Sequence, residues 1–547
     1  MKILNFIKDR RTFVLLFTLI LLILAVYGRT VMFDYVHFDD NELVLKKIDV
    51  LKNYKNIPKY FFESVGTGFE KFYRPALNLS FAVDSFVSGA NPFFYHLTNV
   101  ILHIIAVILM FVLLNRFNFN RNAVYFFTLL FAVHPAFVQA VAWIPGRNDT
   151  LIAIFAFASL VFLQDYLDFG RKNIKIVLFF LMCLSGFFTK ETMLVMVAIV
   201  PIFMFLFCKN ILRRDYFMVM TGLLALSGIY FAARFYVLSG LGASAHTALI
   251  DVKNSLPLLL SYIEFAIIPA RIYLFNVAML FDFLTLASLI IFIIPLISVL
   301  FFKDARKRVI IFGAFWFIIF MLPSFASPVE TKTFYSHRLY LASFGIVIMF
   351  LEFCTFLLQK HEFLKKYFVV LFSVLICMFS ISSYWQSKKF ANRLYFLSSA
   401  LIESPDLAVV RSHVAAYYID SGEFAKAKKE ALLALAIASN DKDHYENSGE
   451  ISLELGPKTI VHYENLGYVY MLEKNYDKAK EVFENALKYN SESEKSLYNL
   501  SRIYYITGDI ENSYILAQRL VFLFPNKDYN EYYLVVKEVN DAKIIEK

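Results

Sequence analysis

The sequence predicts an all-α protein in two parts, a polytopic membrane helix bundle followed by a solenoid of helical repeats. Three observations carry this. Of 547 residues, 59% are hydrophobic, with 61 Phe and 33 Tyr, more apolar than a soluble chain of this length requires. Runs of about 20 uncharged residues recur through the first two-thirds, the length that crosses about 30 Å of hydrocarbon. Charge also changes sign along the chain. From Trp385 onward 20 Lys and Arg face 24 Asp and Glu, net −4; the part before it carries 34 and 21, net +13, for +9 overall. That excess sits in short loops between apolar runs, as membrane topology requires, so it gives no reason to expect a nucleic-acid partner. The cysteines Cys183, Cys208, Cys354 and Cys377 fall in apolar segments, with no metal-site or disulfide spacing.

The first element is an apolar run from about Thr12 to Tyr27, after Lys8-Asp9-Arg10-Arg11. No small-x-small site precedes Gly28-Arg29, so it reads as a retained first span with a cytoplasmic N-terminus. An outer loop, 29–92, follows. It holds Asp39-Asp40 and then residues 50–64, where Lys and Asn interleave with Leu, Tyr and Phe as in a helix lying in the interface. Spans are expected near 95–115, 122–143, 149–166, 174–189, 191–208 and 216–238. Arg116 with Arg121, then Arg171, Lys172 and Lys175, then Lys209, Arg213 and Arg214 mark alternate loops. The Lys/Arg bias assigns these to the cytoplasm, and residues 145–149 and 189–191 to the opposite side. Segment 256–275 is apolar but interrupted by Glu264, Pro269 and Arg271. A full crossing there would put the basic stretch 303–308 outside, so the segment reads as interfacial or re-entrant. Spans near 282–302, 309–327, 338–358 and 366–384 bring the total to about eleven. The expected domains are a membrane domain, 1–384, and an extracytoplasmic repeat domain, 385–547.

The tail repeats itself. In Tyr463-Glu464-Asn465-Leu466-Gly467-Tyr468-Val469-Tyr470, followed by Ala479, Phe483 and Ala486, large and small residues fall where a tetratricopeptide repeat (TPR) needs them. Small residues let the two helices of a hairpin approach, and large ones fill between hairpins. Leu500, Tyr504, Gly508 and Pro525 form a weaker copy, and Ala415, Tyr418, Gly422, Ala427 and Ala431 another. Trp385, Leu394, Ala400 and Pro405 read as a degenerate first unit, and 440–458 as an inserted loop.

Chemistry is expected at the outer face. Asp39 and Asp40 are adjacent carboxylates beyond the first span, in a chain that otherwise keeps acids out of lipid. An Asp at a water–lipid boundary can act as a general base while nearby cations keep it ionised. The alternative is a helix cap, since Asp39 with Glu42 three residues on fits a capping box. Arg74, Arg147, Lys190 and Arg338 fall on outer loops or outer span ends. Each alone reads as a snorkelling residue; together they read as a site for a lipid phosphate. His37, His103, His134, Glu191 and His337 are candidates for substrate contact, with interhelical hydrogen bonding as the alternative. No metal ligands are assigned and no cofactor is required. The lack of an all-carboxylate cluster argues against an obligatory metal and leaves a divalent metal open.

On these residues the chain resembles the GT-C polyprenyl-phosphate-dependent glycosyltransferases. Within them it resembles bacterial relatives of the transmembrane-and-TPR-repeat protein O-mannosyltransferases. The likeness is carried by His37-Phe38-Asp39-Asp40, Tyr73-Arg74-Pro75, Asn99 to His103, Phe131 to Pro135 with Val138 to Ala142, Gly146-Arg147-Asn148-Asp149, Thr189-Lys190-Glu191 and Ser336 to Leu341. It implies a GT-C fold, a polyprenyl-phosphate sugar donor, a catalytic base at Asp39 or Asp40, and a protein acceptor met by the TPR groove. The apolar runs make the chain a multi-pass protein, and Lys and Asn richness points to a bacterial inner membrane. Two other readings stay open, a non-enzymatic membrane-anchored scaffold and transfer to a glycan or lipid.

Overall fold

In the computed structural model the described residues are 9–65, 72–117, 119–239, 252–277, 281–301, 306–325, 333–439 and 460–546. The chain divides into two compact units, Met1–Phe396 and Leu397–Lys547. The boundary therefore follows residue 396 rather than residue 384.

The first unit is a helix bundle. Its helices are α1 (Arg10–Tyr27), α2 (Asp39–Leu43), α3 (Pro75–Ser88), α4 (Pro92–Leu114), α5 (Arg121–Ala132), α6 (Arg147–Asp168), α7 (Asn173–Phe187), α8 (Met196–Phe207), α9 (Arg213–Ser239), α10 (Val252–Ile267), α11 (Phe283–Phe301), α12 (Lys307–Phe325), α13 (Leu339–Lys360) and α14 (Leu364–Ser387). Among the described residues eight helices are long and apolar enough to cross a membrane, or nine if α5 and Pro135–Ala142, bent by 48°, form one span. The bend has a local cause. Pro135 cannot donate a backbone hydrogen bond, and His134 caps the new turn by accepting the Ala136 amide at 3.2 Å.

Two expected spans fall short. α7 has 15 residues and α8 has 12, against the roughly 20 of a full crossing. The polar break Thr189-Lys190-Glu191 separates them. α10, at 16 residues, is also too short to cross. The interfacial helix expected over 50–64 is broken into Ile48–Leu51 and a 3₁₀ stretch, Tyr54–Phe61. Pro58 lies inside that stretch and denies it a regular ladder. Helices α12 and α13 pack backbone to backbone: a Cβ on Gly313 would lie 2.5 Å from the Gly345 carbonyl oxygen, so only glycine fits there. A two-residue antiparallel pair, Asn276–Val277 with Thr333–Phe334, is the only strand structure among the described residues. Residues 240–251, 303–305 and the 440–458 insertion lie outside them.

The second unit is a run of helical hairpins: α15 (Ala408–Asp420) with α16 (Phe424–Ala438), α17 (Ile460–Leu472) with α18 (Tyr476–Tyr489), and α19 (Glu494–Ile506) with α20 (Ile510–Leu523), followed by α21 (Lys527–Glu546). Each hairpin turns on a left-handed residue: Gly422 at φ 74, Lys474 at φ 60 and Gly508 at φ 85. The next amide bonds back in the same way each time, Glu423 to Tyr418, Asn475 to Tyr470 and Asp509 to Tyr504, at 2.8, 2.9 and 2.8 Å. Ala415, Ala431, Ala479 and Ala486 are fully buried around Tyr463 and Phe483, the small-and-large alternation that the pattern requires. Trp385 does not open a first repeat. It lies on α14 and is 62% exposed.

Candidate active site

The outer loop folds back in short pieces. His37 adopts a left-handed backbone, φ 55, and its Nδ1 meets Asn41 Oδ1 at 3.0 Å. This turn leads into α2, whose N-cap is Phe38, so the capping box headed by Asp39 does not form. The two acids differ in environment. Asp39 is exposed, whereas Asp40 is 1% exposed. Asp40 Oδ2 accepts the Val36 amide at 2.7 Å, and its Oδ1 accepts the Trp143 indole N–H at 3.0 Å. Burial pushes the Asp40 pKa above the usual carboxylate value, and the Val36, Asp40 and Trp143 N–H donors pull against it.

Trp143 connects Asp40 to a group of cations. Its ring centroid lies 6.1 Å from that of His337, which in turn stacks on Tyr335 at 5.4 Å. His337 Nε2 is 3.9 Å from Asp149 Oδ2. Lys190 Nζ donates to Asp149 Oδ1 at 2.7 Å and approaches Asn148 Oδ1 at 3.4 Å. Arg74 and Arg338 both lie within electrostatic range of Asp149 and Lys190. Arg74 bonds Glu191 Oε2 through Nη2 and Nε at 3.0 and 3.3 Å, and Arg234 bonds the other oxygen at 2.9 Å. Glu191 is thereby held between two arginines and positions them. Arg338 stands over the Tyr335 ring at 5.6 Å and forms no ion pair among the described residues. Two buried atoms in this group, Asp149 Oδ2 and His337 Nδ1, have no hydrogen-bond partner among the described residues.

Three expected site residues are placed elsewhere. Arg147 is fully buried and its guanidinium is consumed. It pairs with Asp84 at 2.6 Å, donates to Asn99 Oδ1 at 2.9 Å and to the Ser80 and Tyr95 carbonyls at 3.2 and 2.8 Å, and lies 4.5 Å over the Phe81 ring. It therefore leaves the phosphate set. His103 meets Tyr340 Oη at 2.7 Å through Nδ1 and the Ala132 carbonyl at 2.9 Å through Nε2, so both ring nitrogens hold helices together. His134 is the cap described above.

Comparison with known proteins agrees with the architecture. Residues 463–493 match the family model for a tetratricopeptide repeat. The chain is 36% identical over 153 residues to protein O-mannosyl-transferase TMTC1 of Mus musculus, covering 27% of this chain and 16% of that protein. It is 35% identical over 153 residues to the Homo sapiens TMTC1 protein, covering 27% and 17%. A longer match, 26% identical over 378 residues, pairs 66% of this chain with 53% of protein O-mannosyl-transferase F38B6.6 of Caenorhabditis elegans. The chain resembles the TMTC-type protein O-mannosyl-transferases. Each match spans less than two thirds of the relative's own length.

Sequence reasoning missed Trp143, Asp149, Asp84 and Arg234. Asp84 and Asp149 carried a signal, since acids inside apolar helices point to a partner or a function. Trp143 carried none, because its role depends on which carboxylate the fold brings to its indole. Among the described residues no group of three or more His, Cys, Asp or Glu is arranged to hold a metal ion. The arrangement joins the buried Asp40 carboxylate, through the Trp143 ring, to the cations gathered around the buried Asp149.

Proposed function

We propose that this chain is a membrane glycosyltransferase that moves a sugar from a polyprenyl-phosphate donor to an acceptor hydroxyl, Ser or Thr of a protein. The observation that carries the reading is the run of contacts from Asp40 through Trp143 and His337 to Asp149, Lys190 and the neighbouring Arg74 and Arg338. Asp40 rather than Asp39 is the base, because it is the carboxylate that faces this group. It takes the proton of the acceptor hydroxyl, whose oxygen attacks the anomeric carbon with inversion. The bond to the phosphate oxygen breaks and the lipid phosphate leaves with the electron pair. A phosphate leaving group needs charge stabilisation more than a proton, and Lys190, Arg74 and Arg338 are placed to supply it. A protein acceptor and mannose as the sugar follow the names of the relatives, and the TPR hairpins offer an acceptor a groove. The Lys/Arg pattern supports a cytoplasmic N-terminus and extracytoplasmic repeats; Lys and Asn richness favours a bacterial inner membrane.

The test is transfer by the full chain, reconstituted in liposomes, from radiolabelled polyprenyl-phosphate mannose to added polypeptide. Label in protein that resists lipid extraction supports the reading. Label confined to glycan or lipid moves the acceptor class. Transfer by Asp40→Asn equal to that of the unmodified protein removes the base.

A further inference from the structure

We infer that Asp149 and His337, walled by Trp143 and Tyr335, form the pocket that reads the hydroxyls of the transferred hexose; this rests on the polyprenyl-phosphate reading above. Asp149 is 2% and His337 9% exposed. Asp149 uses one oxygen on Lys190 and leaves the other without a hydrogen-bond partner among the described residues, and His337 leaves Nδ1 in the same state. A buried polar atom without a partner is costly, and interiors rarely keep one unless something else supplies the bond.

The leftover valence specifies the ligand. Asp149 Oδ2 needs a donor, and an imidazole nitrogen takes either role according to its tautomer. Neighbouring hydroxyls, each both donor and acceptor, satisfy both groups at once. A phosphate oxygen does not, because the carboxylate repels it. The phosphate is therefore directed past Lys190 toward Arg74 and Arg338, and the neutral sugar takes the Asp149 side. The walls fit as well. Tyr335 stacks on His337 with 27° between planes, and Trp143 tilts by 53° against it, so flat apolar surface lies beside the polar pair, as sites with a few placed polar groups require. Trp143 also donates to Asp40. The polar pair thus lies between Asp40 and the phosphate cations, the place this reading needs for the anomeric carbon.

The experiment compares binding of bare polyprenyl phosphate and polyprenyl-phosphate mannose to the full chain in nanodiscs, for the unmodified protein, His337→Gln and Asp149→Asn, with melting curves for each. The unmodified protein should prefer the glycosylated lipid. His337→Gln should lose roughly tenfold of that preference, about the worth of one hydrogen bond to a buried polar group, with unchanged affinity for the bare lipid. Asp149→Asn should lose at least as much while binding the bare lipid as tightly or more so, since Lys190 is released. If both variants melt normally and keep the preference, the pocket is wrong and the lipid-phosphate reading stands. If the unmodified protein binds both lipids equally, the same holds. If it binds neither, both readings fall. His337→Gln leaves the Lys190–Asp149 pair intact, so a folding defect in Asp149→Asn does not decide the matter.

Discussion

Arg147 and Asp149 stand two residues apart on α6, each a buried charge held against an opposite one, and they differ in what is left over. The Arg147 guanidinium gives its donors to Asp84, Asn99 and two carbonyls. Asp149 gives one oxygen to Lys190 and keeps the other. A closed pair of this kind fastens helices: its partners come from α3 and α4, and removing either charge strands the other in a low dielectric. An open pair has capacity for a ligand. Buried charge alone therefore does not mark a site, and neither does a missing hydrogen bond: Asp84 Oδ2 also lacks one but lies 2.6 Å from the Arg147 guanidinium, whereas Asp149 Oδ2 lies 3.9 Å from His337.

The largest effect should come from opening the closed pair. Arg147→Met should cost about 3–5 kcal/mol of stability by leaving Asp84 unpaired, seen as loss of folded protein after detergent extraction. A variant that melts normally and loses only lipid-phosphate affinity would break the comparison. Next, Asp40→Asn should lower transfer by about 10²–10⁴-fold, while Asp39→Asn, on the exposed side of the turn, should stay within about tenfold of the unmodified rate. The reverse order would make Asp40 the anchor and Asp39 the base. A smaller change is expected from Arg338→Met, which should weaken polyprenyl-phosphate binding by roughly tenfold through loss of one charge-assisted contact and lower the melting temperature far less than Arg147→Met, because Arg338 hydrogen-bonds the buried Tyr262 but closes no ion pair among the described residues. The finest test is pH. A general base works only when ionised, and burial raises the Asp40 pKa above the usual 3.8. Transfer should therefore fall off on the acid side at a higher pH than an exposed aspartate gives. An acid limit at the ordinary carboxylate value would indicate a solvent-facing base.

Much of the fold was legible because its causes are local or periodic. Long apolar runs give membrane-length helices whatever their neighbours, and the phased residues of 460–493 give a TPR hairpin because Gly467 and Ala479 admit close approach while Tyr463 and Phe483 fill it. The 50–64 segment misled because its composition suits an interfacial helix while Pro58 breaks the ladder. At the site, Lys190, Arg74, Arg338 and His337 carry charge or polarity that the sequence shows, and the fold places all four near Asp149. Arg147 looked the same in sequence and is spent on Asp84, a residue 63 positions away that no spacing rule connects to it.

By itself the sequence determined the all-helical membrane bundle, the TPR hairpins and the types of charge available, since each follows from hydropathy, period and turn chemistry along a continuous stretch. The tertiary structure decided which of two adjacent aspartates turns inward, which cation is closed by a partner, and which buried atoms keep a free lone pair. Those outcomes depend on residues far apart in the chain meeting within hydrogen-bond reach, where a single indole N–H on Asp40 or a single ammonium on Asp149 settles the valence that remains.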